Sequence, residues 1–221
     1  MKKFFAMIAL MLPMAVMAQE GKDTTAVIPA QINTMQLALE LSKYGYANND
    51  ALSLIQAARI SKQAGFTAEA RDKAGADEQR PTPAPGEKHG QISLDPAKLL
   101  ADAQALANND QALVAMINDV KNNVRGRVGG PAYHEDRVLA HSTDYYNIQF
   151  RGGETASVLV DGDGDTDLDL YIYDQYGNLI TKDDDYTDTC LCTWTPRRTA
   201  TYKIKIVNRG DVYNAYSLST N

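Results

Sequence analysis

Residues 161–174 read DGDGDTDLDLYIYD. Leu168, Leu170 and Ile172 alternate with Asp169, Tyr171 and Tyr173, and a period of two marks a strand with one apolar and one polar face. The run that follows, DQYGN, supplies Gly177 and Asn178 for a hairpin turn. The strand therefore folds back as NLITKD (178–183). Upstream, Asp161, Asp163, Asp165, Asp167 and Asp169 occupy alternate positions. Crowded carboxylates repel, so either a cation sits among them or the turn is heavily solvated.

The same grammar holds on both sides. DYYNIQF, TASVLVD, TCLCTWT, TYKIKIVN and YNAYSLST join the two strands above to give seven short strands separated by Gly, Asp, Asn and Pro. That pattern specifies an antiparallel sandwich over 132–221. In TYKIKI, Tyr202, Ile204 and Ile206 face the core, while Lys203 and Lys205 face outward. Of the twelve tyrosines, ten lie beyond residue 131, as does the single Trp.

Residues 31–124 read as helix. Asn33 is placed to cap a helix carrying Met35, Ala38, Leu39 and Leu41, with Gln36 completing a capping box. Asp50 caps a second helix, and Gly65 is placed to stop it. Asp95 with Pro96 caps a third. YANND at 46–50 returns as LANND at 106–110, so the region reads as a duplicated helical hairpin. The stretch 67–91 is charged and rich in Pro and Gly, without an apolar face, and reads mostly as a mobile linker carrying His89.

MKKFFAMIALMLPMAVMA (1–18) has a basic start, an apolar middle and small residues at its end. It reads as a signal peptide cleaved near Ala18, so a periplasmic or secreted location is expected. It is too short for a typical membrane span. Its loss removes two lysines and no acid, moving the net charge from −6 to −8. An acidic chain lacks the basic footprint that a nucleic-acid partner requires. Cys190 and Cys192 sit two apart on one strand face, at the outer limit of disulfide reach. Buried thiols beside Trp194, a strained disulfide and a metal or redox site all remain open.

The motifs DLDLYIYDQYGN (167–178), Trp194 and Pro196 before Tyr202, Ile204 and Ile206, and YSL (216–218) resemble the bacterial pre-peptidase C-terminal domain. The resemblance covers about 135–221, under half the chain. Ala200 stands where that family usually has Gly. It implies a jelly-roll-like sandwich and a non-catalytic module that assists, stabilises or targets an attached enzyme, or binds a polymer. Several members hold calcium. The family's usual preceding catalytic domain is replaced here by a helical one.

Calcium takes six to eight hard oxygens in flexible geometry. An EF-hand is excluded, since positions six and twelve from Asp161 are Thr166 and Ile172. Asp161, Asp163, Asp165 and Asp167 remain candidate ligands. Asp183, Asp184, Asp185 and Asp188 could complete a shell at the same edge, the alternative being a solvated acidic edge. Asp169, inside the strand, is expected to tie down a turn by bonding loop amides. Tyr145, Tyr171, Tyr173 and Tyr186 are candidates for a binding face, or they pack between strands. HEDRVLAH (134–141) is not HExxH, no GxSxG elbow occurs, and no glycine-rich loop precedes a helix.

These observations predict an α+β chain in separate domains, an N-terminal helical hairpin bundle followed by an all-β antiparallel jelly-roll-like sandwich. The expected function is an exported non-catalytic binding or accessory protein with a calcium-stabilised sandwich and an extracellular or envelope polymer or protein as partner. The alternative is an accessory subunit of a secreted hydrolase, or a hydrolase with its site at the domain junction.

Overall fold

A computed structural model describes residues 28–77, 90–122 and 131–221. The signal-like segment 1–18 and residues 78–89, including His89, lie outside the described residues. Helices come first: α1 Ala30–Asn48, α2 Ala51–Ala64, α3 Pro96–Leu106 and α4 Gln111–Asn122. The long strands follow: β3 Ala132–Val138, β4 Thr143–Phe150, β5 Ala156–Gly162, β6 Leu168–Tyr173, β7 Leu179–Asp183, β8 Thr189–Trp194, β9 Ala200–Asn208 and β10 Asn214–Thr220. Two short strands, β1 Thr67–Ala68 and β2 Gly75–Asp77, come from between the helices.

The repeated ANND motif has one physical job in both hairpins. Asn49 takes a left-handed conformation and Asp50 then accepts from Leu52 N at 3.1 Å, capping α2. In the second copy Asn108 and Asn109 are both left-handed, and Asp110 accepts from Ala112 N at 2.8 Å, capping α4. Asn tolerates this conformation better than other residues with a Cβ. Asp95 caps α3 and Gly65 ends α2, as the sequence indicates. Asn33 does not cap α1. The helix starts a turn earlier, after Pro29, because Ile32 is already needed in the core.

All seven expected strands form. They lie in two five-stranded sheets, β1-β3-β10-β5-β8 and β2-β4-β9-β6-β7. Every pairing is antiparallel except β1 with β3. Strand β3 escapes sequence reading because AYHEDRV has charges at its centre and lacks a clean apolar alternation. Between the sheets, Val158, Val160, Leu168, Leu170, Ile172, Ile204, Ile206 and Leu218 form one core with Trp194, Phe150 and Tyr202. Cys190 and Cys192 point into it as free, buried thiols. Burial raises both, Cys192 to about 12, so neither is a reactive thiolate.

The helices have their own core, built on Leu54, Ile55, Leu99, Leu100 and Ile117. A third cluster joins the two halves. Ile32, Met35, Ala38 and Leu39 of α1 pack with Ile92 and Leu94 against Tyr133 and Leu159. Helix α1 thus covers the outer face of the β1-β3-β10-β5-β8 sheet.

The linker expectation for 67–91 is corrected over its described parts. Thr67 pairs with Ala132, and Gly75 pairs with Tyr145, so 67–77 straps the open side between the two sheets. Backbone pairing at a sheet edge needs no apolar face, which is why hydropathy misses it. Lys73 fixes the strap, with Nζ 2.9 Å from Asp144 Oδ2 and 2.9 Å from Arg137 O. Arg71 adds a hydrogen bond to Thr220 Oγ1 at 2.8 Å.

Candidate binding face and acidic edge

The outer face of the β2-β4-β9-β6-β7 sheet is not covered by any helix among the described residues. Period-two alternation puts Tyr145 and Asn147 of β4, Lys203 and Lys205 of β9, and Tyr171 and Tyr173 of β6 on it. Register then sets them in rows. Tyr145 is opposite Lys205, Lys205 is opposite Tyr171, and Tyr171 is opposite Lys182. The adjacent row is Asn147, Lys203 and Tyr173. Tyrosine and lysine therefore alternate across four strands. Lys205 Nζ lies 5.4 Å from the centre of the Tyr171 ring, and Lys203 Nζ lies 5.8 Å from that of Tyr145. Such cation–π contacts hold each ammonium group close to its aromatic neighbour.

A groove of about 520 Å³ runs over these residues, bounded by Tyr145, Tyr173, Lys203 and Lys205 with the β6–β7 turn. The carboxylate of Asp174 at its end is consumed by the turn. It accepts from Tyr176 N, Asn178 N and Asn178 Nδ2, each at 2.9 Å. Of the four tyrosines considered for a binding face, Tyr145, Tyr171 and Tyr173 come together on this side of the sheet. Tyr186 is not on the face: it is 97% exposed in the loop after β7. The outward direction of Lys203 and Lys205 is legible in the alternation of TYKIKI, whereas their tyrosine neighbours are set only by register.

Asp169 is bound by a guanidinium rather than by loop amides. Arg209 Nε donates to Asp169 Oδ2 at 2.7 Å, and the Tyr171 hydroxyl donates to the same oxygen at 3.1 Å. Asp169 therefore ties the arm after β9 to β6 and props the Tyr171 ring. Trp194 sits where expected, in the core, with its ring centre 4.8 Å from that of Phe150.

The aspartates disperse. Asp161 is a residue of β5, not of the loop, and its side chain points out of the sandwich toward α1. Lys43 Nζ lies 2.6 Å from Asp161 Oδ1, and Thr189 Oγ1 donates to the same oxygen at 2.7 Å. Asp163 accepts from Ala215 N at 2.9 Å and from Asp165 N at 3.2 Å. Asp165 accepts from Gly90 N through both oxygens at 3.0 Å. Gly90 is required there, because a Cβ would stand 2.0 Å from the Asp163 carbonyl oxygen. From the second cluster only Asp188 reaches this loop, accepting from Gly164 N and lying 3.8 Å from Lys43. Asp183 instead accepts from Leu191 N, Asp184 pairs with Lys182, and Asp185 accepts from Thr187. Asp161 is opposite Thr189, a register that brings only the last acid of the second cluster alongside.

Burial raises the Asp161 carboxyl, with Lys43 opposing. Burial also works against the Lys43 ammonium, but Asp161 and Asp188 outweigh it and raise its pKa. Asp163 is pushed up to about 6, chiefly by burial, with Asp165 and Asp188 adding repulsion. One oxygen each of Asp161 and Asp167 has no hydrogen-bond partner among the described residues. Even so, no group of three acidic, His or Cys side chains there is arranged to hold an ion. As placed, this donor set does not fit calcium: an ammonium group and backbone amides already hold most of the oxygens that would ligate it.

A second cleft, of about 530 Å³, lies at the junction of the halves, lined by Lys43, Tyr46, Asn49, Gly90, Asp102 and Asp163. Asp102 accepts from the Tyr46 hydroxyl at 2.7 Å and from Lys98 at 3.0 Å, which holds its carboxyl below the usual range despite burial.

No protein-family model matches the sequence, and no curated protein matches it. Among solved structures, the pre-peptidase C-terminal domain of a collagenase from Bacillus anthracis is similar at 10% identity and TM-score 0.37, over 41% of this chain and 89% of that one. A periplasmic inhibitor of g-type lysozyme from Aeromonas hydrophila is similar at 12% identity and TM-score 0.33, over 41% and 84%. The likeness concerns the β-sandwich alone, and no function follows from it. Among the described residues, no helix is long and apolar enough to cross a membrane.

Proposed function

We propose that the protein is an exported, non-catalytic binding protein whose ligand, an extracellular or envelope polymer or protein, lies on the outer face of the β2-β4-β9-β6-β7 sheet. One observation carries this reading: the tyrosine–lysine row across β4, β9, β6 and β7, set beside a groove on a face that no described helix covers. The opposite sheet has spent its outer face on α1. Half-buried tyrosines offer contact area with little entropy loss on binding. The test is capture of envelope material by the full-length mature protein. Tyr171→Ala and Tyr173→Ala should each weaken retention by about tenfold or more. Unaltered retention by both variants would place the ligand elsewhere.

A second reading, a hydrolase with its site at the junction, has Asp163 in its favour: a buried carboxylate in a cleft, pushed up to about 6 by burial. Against it, both oxygens of Asp163 are occupied by backbone amides. Hydrolytic screening of wild type and Asp163→Asn separates the two readings, since only a hydrolase loses turnover in the variant.

A further inference from the structure

Resting on the binding-face reading, we infer that the ligand is an acidic polysaccharide, laid across the strands with its ring faces on Tyr145, Tyr171 and Tyr173 and its anionic groups at Lys203 and Lys205.

Charge is the first argument. The chain is acidic overall, at −6. Yet Lys203 and Lys205 stand in the middle of this face, and Asp174, the one carboxylate lining the groove among the described residues, is spent on its own turn. Asp169, beside the Tyr171 row, is neutralised by Arg209, and Asp184, at the end of that row, pairs with Lys182. Among the described residues neither lysine has a carboxylate partner. Two ammonium groups held over aromatic rings, with no carboxylate beside them among the described residues, select an anion.

Direction is the second. An extended peptide recognised by a sheet adds itself to an edge, where N–H and C=O groups are free. Here β9 is paired on both sides, to β4 and β6, and β6 is paired on both sides, to β9 and β7. Their backbones offer nothing to a peptide. The face recognises by side chains alone, and its rows run perpendicular to the strands.

Spacing is the third. Tyr145 and Tyr171 flank Lys205 on strands two apart, roughly 9.6 Å from the strand spacing. A ligand that fits this row alternates flat apolar surface with negative charge along its length. A polysaccharide of acidic sugars does so, since each ring has an apolar face and a carboxylate or sulfate at its margin. At one end of the row Gly75 stands opposite Tyr145 and adds no side chain, so a long chain can run past.

The test is calorimetric titration of the full-length mature protein with polygalacturonate, chondroitin sulfate, neutral xylan and poly-glutamate at low and high salt. The expected result is binding of either acidic glycan, with no binding of xylan. That binding should weaken at high salt, because exposed charges are screened. The double variant Lys203→Gln/Lys205→Gln should lose at least about tenfold, whereas Lys121→Gln, exposed on α4, should lose nothing. Circular dichroism of the double variant checks that the fold is intact, and both lysines are on the surface. Equal binding of xylan, insensitive to the lysine changes but lost in Tyr171→Ala, would overturn the acidic ligand and leave the binding face standing. Poly-glutamate binding as tightly as the glycans would overturn the polysaccharide in favour of an acidic protein segment. Failure of every polymer, with envelope capture indifferent to the tyrosine variants, would overturn the face itself.

Discussion

Lys43 of α1 places its ammonium 2.6 Å from the carboxylate of Asp161 on β5, and the Asp161 side chain is fully buried by the contact. A lysine of the helical half thereby supplies the positive charge that the acidic run demands, at the seam where Met35 and Leu39 pack on Leu159. The ion pair and the apolar seam reinforce each other. The seam excludes water from Asp161, and Lys43 makes that exclusion tolerable.

Removing the ammonium should therefore be costly. Lys43→Met leaves a buried, uncompensated carboxylate, a loss of about 3–5 kcal/mol. Adding Asp161→Asn to that variant should restore most of it. Denaturant unfolding of the two variants and wild type measures both terms. A single variant within about 1 kcal/mol of wild type would show that the pair behaves as an exposed one.

Calcium should do little to the wild-type protein, because the available oxygens are held by Lys43 and by backbone amides. An ion saturating a site built into the fold would raise the melting temperature by roughly 5–10 °C at a hundredfold excess over Kd. Melting curves with millimolar calcium and with chelator decide the matter. A rise of that size would mean that the acidic loop rearranges to take the ion.

The Asp163 carboxyl gives a pH dependence with a definite sign. Its folded pKa, about 6, lies above the usual carboxylate value, so the folded state holds the proton more tightly than the unfolded chain. This group's contribution to stability therefore falls as pH rises from about 4 to about 6. Asp163→Asn cannot ionise, so its melting temperature relative to wild type should climb across that window. A difference that is flat in pH would place the carboxyl in water.

The sandwich should depend on its helical neighbour. Expressed alone, 132–221 loses the cover on Tyr133 and Leu159, the counter-ion of Asp161 and the strap with Lys73. It should melt well below the full-length protein and bind a hydrophobic dye. Equal melting temperatures would show that the seam adds no stability.

Much of the architecture is legible in the residues themselves. Strand faces follow from alternation, as in Tyr202–Ile206, and the β6–β7 turn follows from Gly177 with its φ of 85°. The helix starts at Asp50 and Asp95 follow from side chains that reach their own backbone. These are local effects, decided within a few residues. The outward direction of Lys203, Lys205, Tyr171 and Tyr173 is local in the same sense. Their meeting in two adjacent rows is not, because register between β9 and β6 joins residues thirty or more apart. The acidic run shows the same division. Spacing announces that the aspartates need positive charge or amide donors. Only packing decides that the donors are Lys43 for Asp161, Gly90 for Asp165 and Arg209 for Asp169. Electrostatic partners are chosen by which surfaces come together in space, and no periodicity in the chain encodes that choice.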